Sequence, residues 1–144
     1  MNNAVDLSGM LADYLASGAY YVDASGRDAL EEAAQRLDFA YARIDLAGCT
    51  DKEQALARIA HALDFPEWFG GNWDALSDCL ADLSWWPAPG YVFVFDHTHD
   101  WKDADSVGFE VLLEIGNEVA GTWSEHGVPF WLLFPVPPGQ IAPA

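Results

Sequence analysis

The stretch DFPEWFGGNWDALSDCLADL, residues Asp64 to Leu83, decides how the chain is read. Pro66 disfavours helix at the residues before it, and Gly70-Gly71 admits backbone angles that side chains resist. A shaped loop is therefore expected to separate one helix from the next here. Asn72 is the expected N-cap of the second helix. Behind it Trp73, Leu76, Cys79, Leu80 and Leu83 recur at helical spacing and define one apolar stripe for a core. Asp74, Ser77, Asp78 and Ala81 fall on the opposite face, small or acidic, where a partner can lie flat. Asp74 favours the helix dipole on its own account. Asp78 lacks that reason: aspartate is a poor helix former mid-helix, and its four-residue spacing from Asp74 costs about 0.2–0.5 kcal/mol in like-charge repulsion. Trp68 and Phe69 sit in a segment too short and Gly-rich to bury both rings easily, which is how aromatic interface anchors look.

Upstream, Leu7, Met10, Leu11, Tyr14 and Leu15 mark one face of a short helix within residues 1–18. Ala19 to Asp23 reads as a strand and Ser25 to Leu37 as a helix with Leu30, Ala33, Ala34 and Leu37 inward. Phe39 to Leu46 alternates as a strand. Thr50 and Glu53 have capping-box spacing and open a helix that runs to Leu63, with Leu56, Ile59, Ala60 and Leu63 inward. The segments 22–39 and 44–65 share a Val/Ile-Asp opening, a Gly-centred turn and a Leu-Asp-Phe ending, which suggests one duplicated unit.

Downstream, Trp85 to Gly90 is a loop and Tyr91 to Phe95 (YVFVF) an unbroken apolar run of the kind buried on both faces of a parallel sheet. Asp96 to Asp105 reads as a polar connection with one helical turn, Ser106 to His126 as a long amphipathic helix, and Pro129 to Phe134 as a final buried strand. The ending PVPPGQIAPA reads as frayed. Strands alternating with helices give an α/β class, a small parallel sheet covered by helices on both faces.

The chain has 144 residues, 51% of them hydrophobic, which suits one compact domain. It has no apolar run long enough for a membrane span and no signal peptide at its start, so a cytoplasmic location without membrane contact is expected. Its formal charge is −17, which argues against nucleic acid as a partner, since that needs clustered Lys and Arg. Residues 59–144 hold thirteen acids and a single cation, Lys102, so the acidity lies in the half that carries the loop and the Asp78 helix. A field of that sign steers cationic partners. Cys49 and Cys79 lack metal-ligand spacing and are expected to be reduced, Cys79 as a small hydrophobe. His97 and His99, flanked by Asp96 and Asp100 at a predicted strand end, are a weak candidate for a metal site. Most of Trp85, Trp86, Trp101, Trp123 and Trp131 read as packing residues. No cofactor, metal or catalytic residue is expected.

The run Pro66-Glu67-Trp68-Phe69-Gly70-Gly71-Asn72-Trp73-Asp74-Ala75-Leu76, then Asp78-Cys79-Leu80, resembles the signature of the barstar family of intracellular ribonuclease inhibitors. The resemblance implies that the loop and helix plug a nuclease active site, with Asp78 standing in for a substrate phosphate and Asp74, Asn72 and Gly70 beside it. Trp68, Phe69, Gly71, Trp73 and Ser77 complete the implied contact surface, and Glu118 is added as an outlying acid. The family pattern differs at Trp68 and Phe69 (tyrosines), Gly71 (glutamate), Ser77 (tryptophan), Ala81 (threonine) and Leu83 (tryptophan). The implied fold is three family strands plus an extra N-terminal edge strand. It divides the chain into an N-terminal extension (1–38) packed on the same domain, a barstar-like domain (39–136) and a flexible tail (137–144). The implied function is a non-enzymatic inhibitor, monomeric when free, of a basic ribonuclease or nuclease-type toxin, an immunity protein. The alternatives are an acidic nucleic-acid mimic or general interaction module, and, less favoured on a convex helix face, a hydrolase using Asp74 and Asp78.

Overall fold

The computed structural model describes residues 3–137. In chain order these form α1 (Asn3–Leu11), β1 (Ala19–Asp23), a 3-10 turn (Ala24–Gly26), α2 (Arg27–Arg36), β2 (Ala40–Asp45) and α3 (Lys52–Ala62). There follow α4 (Trp73–Asp82), β3 (Tyr91–Asp96), α5 (His99–Ala104), α6 (Ser106–Ser124) and β4 (Phe130–Val136). The four strands make one parallel sheet in the order β1-β4-β3-β2. β1 is an edge strand joined to β4 alone, which makes it the added N-terminal edge strand expected from the sequence.

Alternation along β3 divides the core in two. Tyr91, Phe93 and Phe95 join Leu56 and Ile59 of α3, Leu76 and Leu80 of α4, Trp101 of α5, and Phe109 and Leu112 of α6. Val92 and Val94 point the other way, toward Leu11 of α1 and Leu30, Ala33 and Ala34 of α2. β3 is therefore buried at every position, as an uninterrupted apolar strand requires when helices cover both faces. The Trp131 indole N–H donates to the Leu11 carbonyl at 2.9 Å and ties α1 to that second face. Gly116 lets α6 lie close on the sheet: a Cβ there would come within 2.4 Å of Leu132 Cδ1.

Several expectations are revised. The helix after β2 is capped by Asp51, not Thr50: the Asp51 carboxylate accepts from Gln54 N at 2.9 Å, and Gln54 Oε1 accepts from Thr50 N at 2.8 Å. The signal slipped by one residue because Gln54, like Glu53, can reach back. Tyr14 and Leu15 lie beyond the end of α1 and are 39% and 79% exposed, and Met10 is exposed as well, so only Leu7 and Leu11 of that stripe pack inward. Asp96 belongs to β3 and not to a polar connection. It is buried, with Oδ1 accepting from Arg27 Nη1 at 2.7 Å and Oδ2 from Arg43 Nε and Nη2 at 3.0 and 2.8 Å. Pro135 and Val136, read as the start of a frayed tail, extend β4 beside Val22 and Asp23. The remainder of that tail, residues 138–144, lies outside the described residues.

The shared Leu-Asp-Phe endings have a plain structural cause. Asp38 and Asp64 both take left-handed conformations, at φ 60° and 55°. Phe39 N then donates to Ala34 O at 3.0 Å and Phe65 N to Ala60 O at 2.9 Å, closing α2 and α3 in the same way. This is the six-to-one helix stop with aspartate in the position glycine usually holds and an aromatic residue after it. The likeness between the two segments is thus, at its end, a repeated cap. The helices themselves lie on opposite faces of the sheet.

Candidate functional site

From the cap of α3 the chain enters the loop 65–72. Phe65 anchors it from below: its ring stands edge-on to Phe69, centroids 4.9 Å apart, and to Trp85 at 5.9 Å. The Trp85 indole N–H donates to the Leu63 carbonyl at 3.1 Å, fixing the wall on which the loop rests. Phe69 N donates to Pro66 O at 3.0 Å, which folds the segment back on itself and leaves Trp68 at the crest, 58% exposed. Gly71 takes φ 70°, a left-handed angle that favours glycine, and turns the chain into α4.

Asn72 caps that helix as expected, its Oδ1 accepting from Ala75 N at 2.8 Å. Leu76, Cys79, Leu80 and the C-cap Leu83 are buried, and Trp73 lies half-buried with its ring stacked on Trp101 at 6.4 Å. The Trp123 indole N–H donates to the Leu80 carbonyl at 2.9 Å and holds α6 against the back of α4. Asp74, Asp78 and Ala81 are exposed and Ser77 is half-buried, so the small, acidic face looks outward.

Structure thus sorts the residues singled out from the sequence. Trp68, Gly70, Gly71, Asn72, Asp74, Ser77 and Asp78 form one continuous loop and helix surface. Phe69 and Trp73 belong to the same segment but pack inward, as supports. Glu118 is exposed on α6, the neighbour of α4. Trp85 is the residue that the motif alone did not bring forward. The signal for it was the Trp85-Trp86 pair just past α4, close enough in sequence to wall the loop.

The electrostatics of this surface follow from its composition. Among the described residues neither Asp74 nor Asp78 has an ion-pair partner, and Lys and Arg are absent from residues 59–101. Burial pushes the Cys79 thiol up to about 11, and the neighbouring Asp82 and Asp78 add to the shift. The thiol is neutral at ordinary pH and serves as an apolar filler. Among the described residues there is also no group of three or more His, Cys, Asp or Glu placed to hold a metal ion, and no helix long and apolar enough to cross a membrane. None of the main clefts is lined by Asp74 or Asp78, as a convex helix face dictates.

Residues 39–135 match a family model described as Barstar (barnase inhibitor). The match runs from the residue before β2 to the penultimate residue of β4 and takes in the whole loop and α4. No curated protein matches the chain.

Proposed function

The chain belongs to the barstar family of barnase inhibitors, and from that premise we propose that it inhibits a cationic ribonuclease or nuclease-type toxin by laying the Trp68 loop and the outer face of α4 into the enzyme's active site. It acts as the immunity partner of that enzyme. The observation that carries this reading is the pair Asp74 and Asp78, exposed one helical turn apart with no cation among the described residues paired to either. A helix that bears such a pair in isolation is penalised, and a partner that buries the pair among cations reverses the sign of that contribution. Asp78 occupies the place of a substrate phosphate, Asp74 and Asn72 flank it, and Trp68 is the aromatic anchor. Supports behind the surface keep it in place before binding: Phe65, Phe69 and Trp85 under the loop, Trp73 on Trp101 under the helix start. Pre-ordering of that kind lowers the entropic cost of association. A convex helix face carrying the two carboxylates suits a plug better than a hydrolase.

A titration of basic, guanyl-type ribonucleases with the protein, scored by RNA cleavage, tests the reading. Inhibition that is complete at one equivalent supports it. Unimpaired cleavage by every such nuclease at large excess of protein would remove it in favour of a general acidic interaction module.

A further inference from the structure

We propose that the carboxyl end of the sheet carries a second site, distinct from the loop and α4, which takes the phosphate group of a small anion between Arg27 and Lys102. Its location follows from the topology. The β1 to β2 connection crosses one face of the sheet with α2, while β2 to β3 and β3 to β4 cross the other with α3 to α6. The chain therefore leaves β1 and β3 in opposite directions, and β4 lies between them, so a crevice opens beyond the ends of these strands. In open parallel sheets that is where ligands bind. The crevice has a volume of about 480 Å³, and its lining includes Tyr21, Arg27, Asp96, His97, Lys102 and Asp103. Small-molecule sites fall in roughly the 300–1,000 Å³ range.

Charge at this place runs against the rest of the molecule. The chain carries −17 with only six Lys and Arg, yet Arg27 and Lys102 both line this crevice, and Arg43 reaches its Asp96 from β2. Asp96 is held by both guanidiniums, each on a different oxygen; with Lys102 and the lining Asp103 counted as well, three cations against two acids leave one positive charge in excess. Only Nη1 of Arg27 is engaged on Asp96, and the guanidinium has four further N–H donors. Arg27 opens α2, where the helix dipole disfavours a cation, so its position there is explained by the sheet end and not by the helix. Among the described residues Lys102 makes no ion pair. Its ammonium rests on the Tyr21 hydroxyl at 3.1 Å and over the Tyr21 ring at 4.9 Å, which fixes its position and leaves two N–H donors. His97 borders the crevice at φ 57°, a left-handed angle that costs a β-carbon residue about 1 kcal/mol and is concentrated at ligand sites. Its Nδ1 is bound to Asp45 at 2.8 Å, leaving Nε2 as the free ring nitrogen. A guanidinium fork and an ammonium lining one crevice can together take the several oxygens of a phosphate, the fork by paired hydrogen bonds and the ammonium as a point charge. The volume leaves room for an organic group behind it.

NMR titration of the full chain, at constant ionic strength, tests the site with three probes: inorganic phosphate, adenosine monophosphate and adenosine. Saturable shifts confined to residues 21–27 and 96–103, weakened at least tenfold by Lys102→Gln, are expected with phosphate and with the monophosphate. Tighter binding of the monophosphate identifies a phosphorylated organic molecule as the ligand class, and equal binding identifies phosphate itself. Equal shifts around Lys52 and Arg36, indifference to Lys102→Gln, or adenosine binding as well as its monophosphate would overturn the proposal. Lys102 lies outside the loop and α4, so the same variant should still inhibit the nuclease, which separates failure of this site from failure of the inhibitor reading.

Discussion

Two regions of this molecule hold carboxylates in opposite ways. Asp96 at the end of β3 is buried and receives three hydrogen bonds from two arginines, whereas Asp74 and Asp78 on α4 are exposed and, among the described residues, have none from a cation. The first arrangement joins α2, β2 and β3 and is complete within the chain. The second is incomplete until something cationic arrives. An acid that is satisfied internally supports the fold. One that strains its own helix and lacks a partner points outward, to function.

If that contrast holds, single substitutions should separate stability from binding. Asp78→Ala carries the largest expected effect. It should weaken the nuclease complex by about 2 kcal/mol or more, roughly thirtyfold, because it leaves the enzyme's cations unpaired. It should at the same time raise the thermal midpoint slightly, since alanine is the better helix residue and the repulsion from Asp74 disappears. Calorimetry of the free protein and of the complex reads both. A fall in stability on a par with the loss of binding would erase the distinction.

Asp96→Asn should do the reverse. Removal of the charge that two arginines share is expected to lower unfolding free energy by about 2 kcal/mol, the scale of a hydrogen bond to a charged group, and to leave nuclease affinity within about twofold. Denaturant unfolding and the same calorimetric titration check it.

The surrounding acids should act more weakly and only at long range. Asp82→Asn and Glu118→Gln are each expected to lower the association rate by less than about threefold and to leave dissociation unchanged, and added salt should slow association for the same reason. Stopped-flow mixing at two ionic strengths measures this. An association rate indifferent to salt would reduce the negative charge to a solubility device.

An effect confined to alkaline pH concerns a group on neither surface. Tyr41 on β2 has a buried hydroxyl without a hydrogen-bond partner among the described residues, and burial, reinforced by Glu31, pushes its pKa up to about 12. The folded value is raised above the unfolded one near 10, so the stabilising contribution is complete below pH 10 and is lost as the pH climbs toward 12. Unfolding followed by tyrosine absorbance should therefore show stability declining across that window, and Tyr41→Phe should flatten the decline.

How far the sequence could be read depended on whether the relevant physics was local. The loop, the Asn72 cap and the two faces of α4 were legible because proline, glycine, capping chemistry and helical period each act within a few residues. β3 was legible for a similar reason: only a strand covered on both sides can be apolar at every position. Asp96 was not, because a charge at the end of an apolar run reads as the start of a loop until Arg27 and Arg43, distant in sequence, are seen to meet it. The inward turn of Phe69 was hidden likewise, since it depends on Phe65 and Trp85 converging beneath it. The revised start of α3 shows a finer limit, with two adjacent residues equally able to cap and the choice made by Gln54.

The central claim, that α4 occupies the place of substrate, is tested most directly by the kinetics of inhibition at several RNA concentrations, with the protein and with Asp78→Ala. The account predicts competitive inhibition by the unmodified chain, relieved by rising RNA, and a marked loss of potency for Asp78→Ala. Inhibition that RNA does not relieve and that Asp78→Ala leaves intact would contradict it.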